Sequence, residues 1–437
     1  MKILILGSNA LVASIAEELC AAGHDITVID NRVDAIKKID MELDVRGIIG
    51  HPTHPEVLLR GECGDSDALI AILDHDESNM VACQIAHSLF HVPIKIARIR
   101  TQNYLFDGEL FGDDQLPIDV FINPEKAIAK RISQIINHPG VQEVQYHGHA
   151  AFVMVKIPAE STWVGQSIAD IEHYWQCALI AQCHENTISY LEKTCIVQPH
   201  MQIILACDVN KTNDLISDLG IKQVKINDIM IAGAGHNAKN LVKKLNDHLK
   251  ITVVEKTHAH CIRFAKEFPD IKVLHADIKD HVVWEQESLD KSDLFCALTD
   301  DDASNLLSAL MGKQMGCHKT LCLFKEPDYV PLLLPYIDFA LSSRSATINT
   351  ILTALYQTKG VQQVMSLAFG ALFAISIEIT EDHPAIGQTY SHFKLPSRIH
   401  CIGINRQESF ISDPEQVIMA NDHLLLITRH RDAIYDL

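Results

Sequence analysis

Six consecutive residues, Gly233-Ala234-Gly235-His236-Asn237-Ala238, carry the most specific chemical pattern in the chain. They follow the apolar run IMIA and open a stretch with helical patterning, so they read as G-x-G-x-x-A between a strand and a helix. In such a loop the first glycine permits a tight turn, and the second lets the backbone approach a pyrophosphate. The small third residue lets helix and strand pack closely. The helix then presents free N–H groups and the positive end of its dipole to phosphate. Glu255 ends the next apolar run, 22 residues after Gly233, where a carboxylate accepts hydrogen bonds from a ribose diol. An earlier stretch repeats the pattern in degraded form: Gly7 and Ser8 are followed by Asn9 and Val12 where the second and third glycines would stand, and Asp30 lies 23 residues after Gly7. Asn9 tolerates unusual backbone angles, but its side chain is expected to crowd a pyrophosphate, and Val12 to push the helix off its strand. Each loop also has a plainer reading, as a glycine turn kept for packing in the later copy and as a vestigial scaffold in the earlier one.

Ligands of a doubly wound sheet lie at the carboxyl ends of its strands, where the strand order reverses. That rule nominates His51 and Asp277 after the third strands, and Leu73 with Asp74 and Leu298 with Thr299 after the fourth. Arg98 and Arg100 end the fifth strand of the first copy, and Lys325 matches Arg100 in the second. A cation there could neutralise phosphate or serve as a surface ion-pair residue. No catalytic constellation accompanies these groups. There is no Ser/His/Asp order, nucleophile elbow or Walker lysine, and His51 and His275 read as loop histidines. The 12 cysteines show no C-x-x-C pair or zinc-like spacing, and the 24 histidines are dispersed, so no metal ligand is assigned.

The elements that must position these residues come from an internal duplication. KILILGSNALVASIAEEL near residue 1 matches IMIAGAGHNAKNLVKKL near residue 229, and DESNMVACQIAHSLF matches DDASNLLSALMGKQM. Gly7 and Gly233, like Asn79 and Asn305, are 226 residues apart. GVQEV at 140–144 recurs as GVQQV at 360–364. The chain is therefore two copies of a unit of about 220 residues, each with a larger and a smaller part. The larger part alternates short apolar strands (Lys2–Leu6, Asp25–Ile29, Val45–Ile49, Ala68–Leu73, Lys95–Ile99) with helical patterns such as the stripe Val12, Ile15, Ala16, Leu19. That alternation predicts a parallel, doubly wound α/β sheet of the Rossmann type. The smaller part, with AAFVMVKI, CALIAQC and QIILAC, predicts a small α+β domain with a mixed or antiparallel sheet. The expected domains are Rossmann-like 1–132 and 226–352 and small 138–215 and 360–437.

Composition narrows the function classes. The 437 residues carry a formal net charge of −19, with 47% hydrophobic and 21% charged residues, a globular composition. The acidic balance argues against a nucleic-acid footprint, which needs clustered Lys and Arg. The apolar stretch Val364–Ile377 is too short for a membrane span of about 20 apolar residues. The opening MKILILGSNA has no signal-peptide pattern. A soluble, cytoplasmic protein that is not itself a channel is the expectation.

Taken together, MKILILG, ITVID, DESNMVACQIAHSLF, KIARIR, GAGHNAKNL and DDASNLLSA resemble the TrkA family over nearly the whole chain. These are peripheral regulatory subunits of Trk-type potassium uptake systems, built from tandem RCK (KTN) modules of one Rossmann-like and one small C-terminal domain. The resemblance implies binding of NAD(H), or of ATP and ADP. It implies assembly as a homo-oligomeric ring, a tetramer by family expectation, on the cytoplasmic face of an integral membrane potassium-translocating subunit of the TrkH type. It implies a regulatory role and not an enzymatic one. By the same likeness Gly7, Asn9, Asp30, Leu73 and Arg98 line a first site, and Gly233, Gly235, Ala238, Glu255 and Thr299 a second. Asn9 and Val12 depart from the family pattern. A carboxylate at the ribose position disfavours NADP, whose 2′-phosphate it would repel. The competing readings are an NAD-dependent oxidoreductase and a regulator of potassium efflux or of another transporter.

Overall fold

The computed structural model describes residues 1–436 apart from 102–103, 105–109, 113–114, 185–186, 222–223, 246–247, 287–290, 326–334 and 358–359. Two compact units result, one of residues 1–124 with 347–361 and 432–437, the other of residues 125–346 with 362–431. Among the described residues no helix is long and apolar enough to cross a membrane.

The first unit is built on β1 (Lys2–Leu6), α1 (Ala10–Ala21), β2 (Asp25–Asp30), α2 (Val33–Glu42), β3 (Arg46–Ile49), α3 (Pro55–Arg60), β4 (Ala68–Ala71), α4 (Asp76–Phe90), β5 (Ile94–Arg98) and β6 (Val120–Ile122). The strands pair in parallel in the order β3-β2-β1-β4-β5-β6, the doubly wound topology the alternation predicts. The central strands β1 and β4 are apolar on both faces because helices cover both: Ile3 through Leu6 and Ala68 through Ala71 are almost wholly buried. Of the expected strands, β1 has the expected bounds and the others shift by one or two residues.

The second unit opens with α5 (Pro124–Asn137) and continues with a small domain of β7 (Glu143–His147), β8 (Ala150–Lys156), α6 (Ile168–Trp175), β9 (Ala178–His184), β10 (Thr187–Tyr190), β11 (Gln202–Asp208) and α7 (Thr212–Asp218). The second Rossmann-like sheet follows: β12 (Asp228–Ala232), α8 (His236–Lys244), β13 (Lys250–Glu255), α9 (His258–Glu267), β14 (Lys272–His275), α10 (His281–Gln286), β15 (Leu294–Ala297), α11 (Asp302–Met315), β16 (Lys319–Phe324) and β17 (Phe339–Ser342). Its order, β14-β13-β12-β15-β16-β17, repeats the first. After α12 (Ser343–Tyr356) come β18 (Val361–Leu367), β19 (Leu372–Glu378), β20 (His400–Arg406), β21 (Ser409–Ile411) and β22 (His423–Thr428). The two small domains carry matching five-stranded sheets, β10-β9-β11-β8-β7 and β18-β19-β22-β20-β21. The described strand pairs in both are antiparallel. Their apolar faces meet: Phe152, Met154 and Ile204 share one core with Leu372, Leu425 and Ile427.

The helices that follow the sixth strands do not cover the sheets they leave. Ile128, Ala129, Ile132, Ile135 and Ile136 of α5 are buried in the core under β12, β13 and β15. Most of α12 groups with the first unit, where the Tyr356 hydroxyl meets His24 Nε2 at 2.6 Å. The repeat boundaries drawn along the linear sequence are thus crossed in space by two helices. The spacing of the α5 isoleucines gives that helix one apolar stripe, and burying it contributes roughly 1.5–3 kcal/mol per isoleucine. Replacing Ile132, which is fully buried, should cost about 2–5 kcal/mol as Ile132→Ala. Hydrogen exchange should then quicken in β12, β13 and β15, and not in β1 and β2.

Candidate functional site

In both sheets the strand order reverses between the first strand and the fourth, so the site lies where β1 meets β4 and where β12 meets β15. In the second repeat, β12 ends in Gly233, which has φ +99. A Cβ there would come within 3.1 Å of Thr299 Cγ2 and 3.3 Å of the Leu298 carbonyl, so the turn and its fit against the end of β15 both require glycine. Ala234 is buried, and its N–H donates to Glu255 Oε2 at 2.9 Å. Glu255 Oε1 accepts from the Thr257 N–H at 2.7 Å. The carboxylate at the end of β13, 8% exposed, is thus held in place by two backbone donors, with His260 Nδ1 3.8 Å from Oε1.

Gly235 differs in kind. It is the N-cap of α8 with φ −79 and ψ −168, an extended conformation open to any residue, and it offers the helix no side-chain cap. A Cβ built on it would meet nothing within 4 Å. The first-turn amides of α8 therefore face open space. Ala238, one turn on, is fully buried against the sheet, as the small third position of the motif requires. These features open onto a cleft of about 260 Å³. Of the residues singled out from the sequence, Gly233, Gly235, Glu255, Asp277, Leu298 and Thr299 line it. His236 is exposed on the helix, Asn237 is half-buried, and neither contributes to the lining.

The cleft also holds residues the sequence reading passed over: Lys256, His260, Lys279, Asp300, Asp301 and Ser304. Asp301 caps α11 by accepting from the Ser304 N–H at 2.9 Å. That bond, together with the charges of Lys279 and Lys256, holds its carboxyl below the usual range. The Asp-x-x-Ser spacing is an N-cap signal visible in the sequence. The lysines stand one and two residues beyond the nominated Glu255 and Asp277, and the spacing rule for the ribose acid does not reach them.

A second layer ties the strand ends together. Asn305, 1% exposed, accepts from the Thr299 N–H at 2.8 Å and the Thr299 hydroxyl at 2.6 Å, and donates to the carbonyls of Thr299 and Leu323, both at 2.9 Å. Asn79 does the same in the first repeat, accepting from the Leu73 N–H at 2.8 Å and donating to the Arg98 carbonyl at 2.8 Å. Beside them Asp302 accepts from the Lys325 N–H, and Asp76 from the N–H groups of Arg100 and Thr101. The structure thus brings Leu73 and Arg98 together, with the Arg98 carbonyl as the group that is tied. Arg100 and Lys325 likewise contribute backbone N–H groups to these ties.

The first repeat closes where the second is open. Asn9 is the N-cap of α1 with φ −78 and ψ 172, so the unusual backbone angles expected of it are absent. Its side chain turns inward: Oδ1 accepts from the Val12 N–H at 3.1 Å and Nδ2 donates to the Ile72 carbonyl at 3.3 Å. Val12 packs inward beside Gly7. It is fully buried, and its Cγ2 lies 3.3 Å from where a Gly7 Cβ would be, filling the space left by that glycine. Gly7 has φ +121, and a Cβ there would stand 2.7 Å from the Ile72 carbonyl. Asp30, 3% exposed, is bridged by Arg32, whose Nε and Nη2 donate to its two oxygens at 3.2 and 3.0 Å. Burial pushes the Asp30 carboxyl up, but hydrogen bonds from Arg32, with Ser8 beside it, outweigh this and leave it below the ordinary value. Exposed Asp74 adds its charge on Arg32. His51 is exposed, stacks on His54 at 4.6 Å and bonds to Thr53.

Comparison with known proteins agrees with this geometry. The TrkA-N domain family matches residues 3–124 and 229–338, which are the two Rossmann-like sheets and more than half of the chain. The chain belongs to the TrkA family. A Trk system potassium uptake protein TrkA of Halomonas elongata is 30% identical over 446 residues, covering 100% of this chain and 97% of the relative. The TrkA of Vibrio alginolyticus is 29% identical, with coverage of 100% and 97%. Among solved structures, the GsuK RCK domain shares the fold at a TM-score of 0.66 and 17% identity, covering 100% of this chain and 95% of that one. A GsuK channel bound to NAD matches at a TM-score of 0.65 and 17% identity, covering 100% and 79%. Both solved structures share the fold over the whole length of this chain.

Asn305→Ala would orphan the Thr299 N–H and the Leu323 carbonyl in a buried place, at about 1–3 kcal/mol for each group. Denaturant midpoints should fall accordingly, and affinity at the neighbouring cleft should fall with them.

Proposed function

We propose that this TrkA-family chain is a nucleotide-sensing regulatory subunit of a Trk-type potassium uptake system, with the cleft at the β12–β15 switch point as its sensor. The observation that carries the reading is Gly235. The protein's own structure has no need of glycine there, because the backbone angles are ordinary and the space above the Cα is empty. A ligand lying against the backbone supplies the need. The uncapped amides of α8 fit a pyrophosphate, and Glu255, fixed by Ala234 and Thr257, fits a ribose diol. Lys256 and Lys279 stand among four carboxylates, Glu255, Asp277, Asp300 and Asp301. That balance favours NAD(H), whose pyrophosphate is esterified at both ends, over ADP and ATP, whose free terminal phosphates add negative charge, so ATP and ADP rank second as ligands.

The role we propose is regulatory and not catalytic. The chain would act from the cytoplasmic face on an integral membrane potassium-translocating subunit, as a ring of identical chains, four by family expectation. Its modules would be the Rossmann-like segments 1–132 and 226–352 and the small segments 138–215 and 360–437. Nucleotide would act by differential affinity for two arrangements of the subunit, since a ligand shifts an equilibrium only to that extent. The relatives named for potassium uptake and the NAD-bound channel of the same fold support this reading.

Gly235→Asp tests it. The side chain enters open space, so the variant should fold with unchanged circular dichroism and thermal midpoint. NAD(H) binding by calorimetry should weaken at least about tenfold, or ~1.4 kcal/mol, through crowding and repulsion at the phosphates. Unchanged affinity would remove the loop from the site.

A further inference from the structure

We infer that in the first repeat the place of the nucleotide is filled by the chain's own side chains, Asn9 and Arg32, so that each chain senses nucleotide through the second repeat alone. The inference rests on the proposed nucleotide site of the second repeat and concerns how the two copies differ.

The two loops have the same backbone course at the decisive position. Asn9 and Gly235 are both helix N-caps, with φ −78 and −79 and both ψ values near 180°. What differs is what occupies the space beyond. In the second repeat that space is empty and the first-turn amides are uncapped. In the first, the Asn9 carboxamide oxygen accepts from the Val12 N–H, the third amide of the helix and one a phosphate oxygen would otherwise take. Its nitrogen reaches across to the Ile72 carbonyl at the end of β4. The side chain thus bridges the helix N-terminus and the fourth strand across the switch point, the span a bound pyrophosphate would occupy.

The ribose position shows the same substitution. In both repeats the residue two beyond the acid donates its backbone N–H to the carboxylate, Arg32 to Asp30 at 2.9 Å and Thr257 to Glu255 at 2.7 Å. Thr257 stops there. Arg32 continues, and its guanidinium donates to both Asp30 oxygens, taking the acceptor positions a ribose diol needs. The pair is charge-neutral and bidentate, the stronger form of such contacts. A nucleotide entering the first repeat would have to displace an intramolecular cap and an intramolecular ion pair, both at high effective concentration. Val12, packed over Gly7 in place of a third glycine, completes a first copy that is closed by its own side chains.

The test is calorimetric stoichiometry on the full-length chain, with NADH, NAD, ADP and ATP as separate titrants and NADP as a check on a 2′-phosphate ligand facing Arg32. The wild-type chain should bind one nucleotide per chain, and in Gly235→Asp that site should be weakened at least about tenfold, with no site of wild-type affinity left. The double variant Asn9→Gly with Arg32→Ala should gain a second site, moving the stoichiometry from one toward two. Two sites in the wild type, or a site of undiminished affinity for any of these ligands in Gly235→Asp, would overturn the inference while leaving nucleotide sensing intact. So would a double variant that folds, by circular dichroism, and stays at one site. No binding by wild type would instead defeat the underlying nucleotide reading. If the double variant unfolds, the Gly235→Asp titration still decides between one closed copy and two open ones.

Discussion

A parallel strand that stops at its carboxyl end leaves backbone N–H and C=O groups that its own ladder cannot satisfy, and the helix that follows begins with amides that have no partner. The layout of both Rossmann-like sheets follows from how those groups are met. Asn79 and Asn305 tie the ends of the fourth and fifth strands, Asp76 and Asp302 hold the turn beyond the fifth, and Asp30 and Glu255 hold the turn beyond the second. With these groups met, the helix N-terminus after the first strand distinguishes the two repeats: Asn9 caps α1, and α8 has no side-chain cap. In the second repeat a cleft forms around it.

Duplication provides an internal comparison. The two copies share topology, register and cap geometry, so the difference between them reduces to a few side chains. One copy caps its loop with its own Asn9 side chain, and the other leaves its loop without a side-chain cap. The second copy is also the one whose core α5 completes. That helix runs directly into β7, where Arg131 of the helix pairs with Glu143 of the strand, and Glu143 in turn accepts from the Ala368 N–H of the other small domain at 2.9 Å. The sheet that carries the cleft is thus packed, through one helix, to the paired small domains of the same unit. This is a physical route by which occupancy can bias an arrangement.

Much of this was legible in the sequence. The two periods of apolar patterning, the 226-residue repeat and the glycine loops pointed to two doubly wound sheets and to the strand ends where a ligand would lie, because each is a local or repeated signal. Gly233 and Ala238 sit as their spacing predicts. Three things were not legible. Where α5 and α12 dock is a long-range choice of partner, and an amphipathic stripe says only that a partner exists. Whether Asn9 obstructs the loop or caps it depends on a side-chain rotamer, and the structure shows the cap. Arg32 was visible beside Asp30, but whether it widens or closes the ribose position turns on two oxygen contacts that sequence spacing does not encode. Lys256, Lys279 and Asp301 were missed for a related reason: the motif names the residues that touch a generic dinucleotide, and the flanking charges that tune a particular cleft follow no fixed offset.

The most direct measurement is an experimental structure of the full chain with NAD(H) bound, with occupancy read separately in each repeat. The account predicts ligand density with phosphates on the N-terminus of α8 and a ribose on Glu255. In the first repeat the Asn9–Val12 and Arg32–Asp30 contacts should be intact, with no nucleotide. Nucleotide on Gly7 and Asp30, or none at Gly235 and Glu255 under saturating ligand, would contradict it.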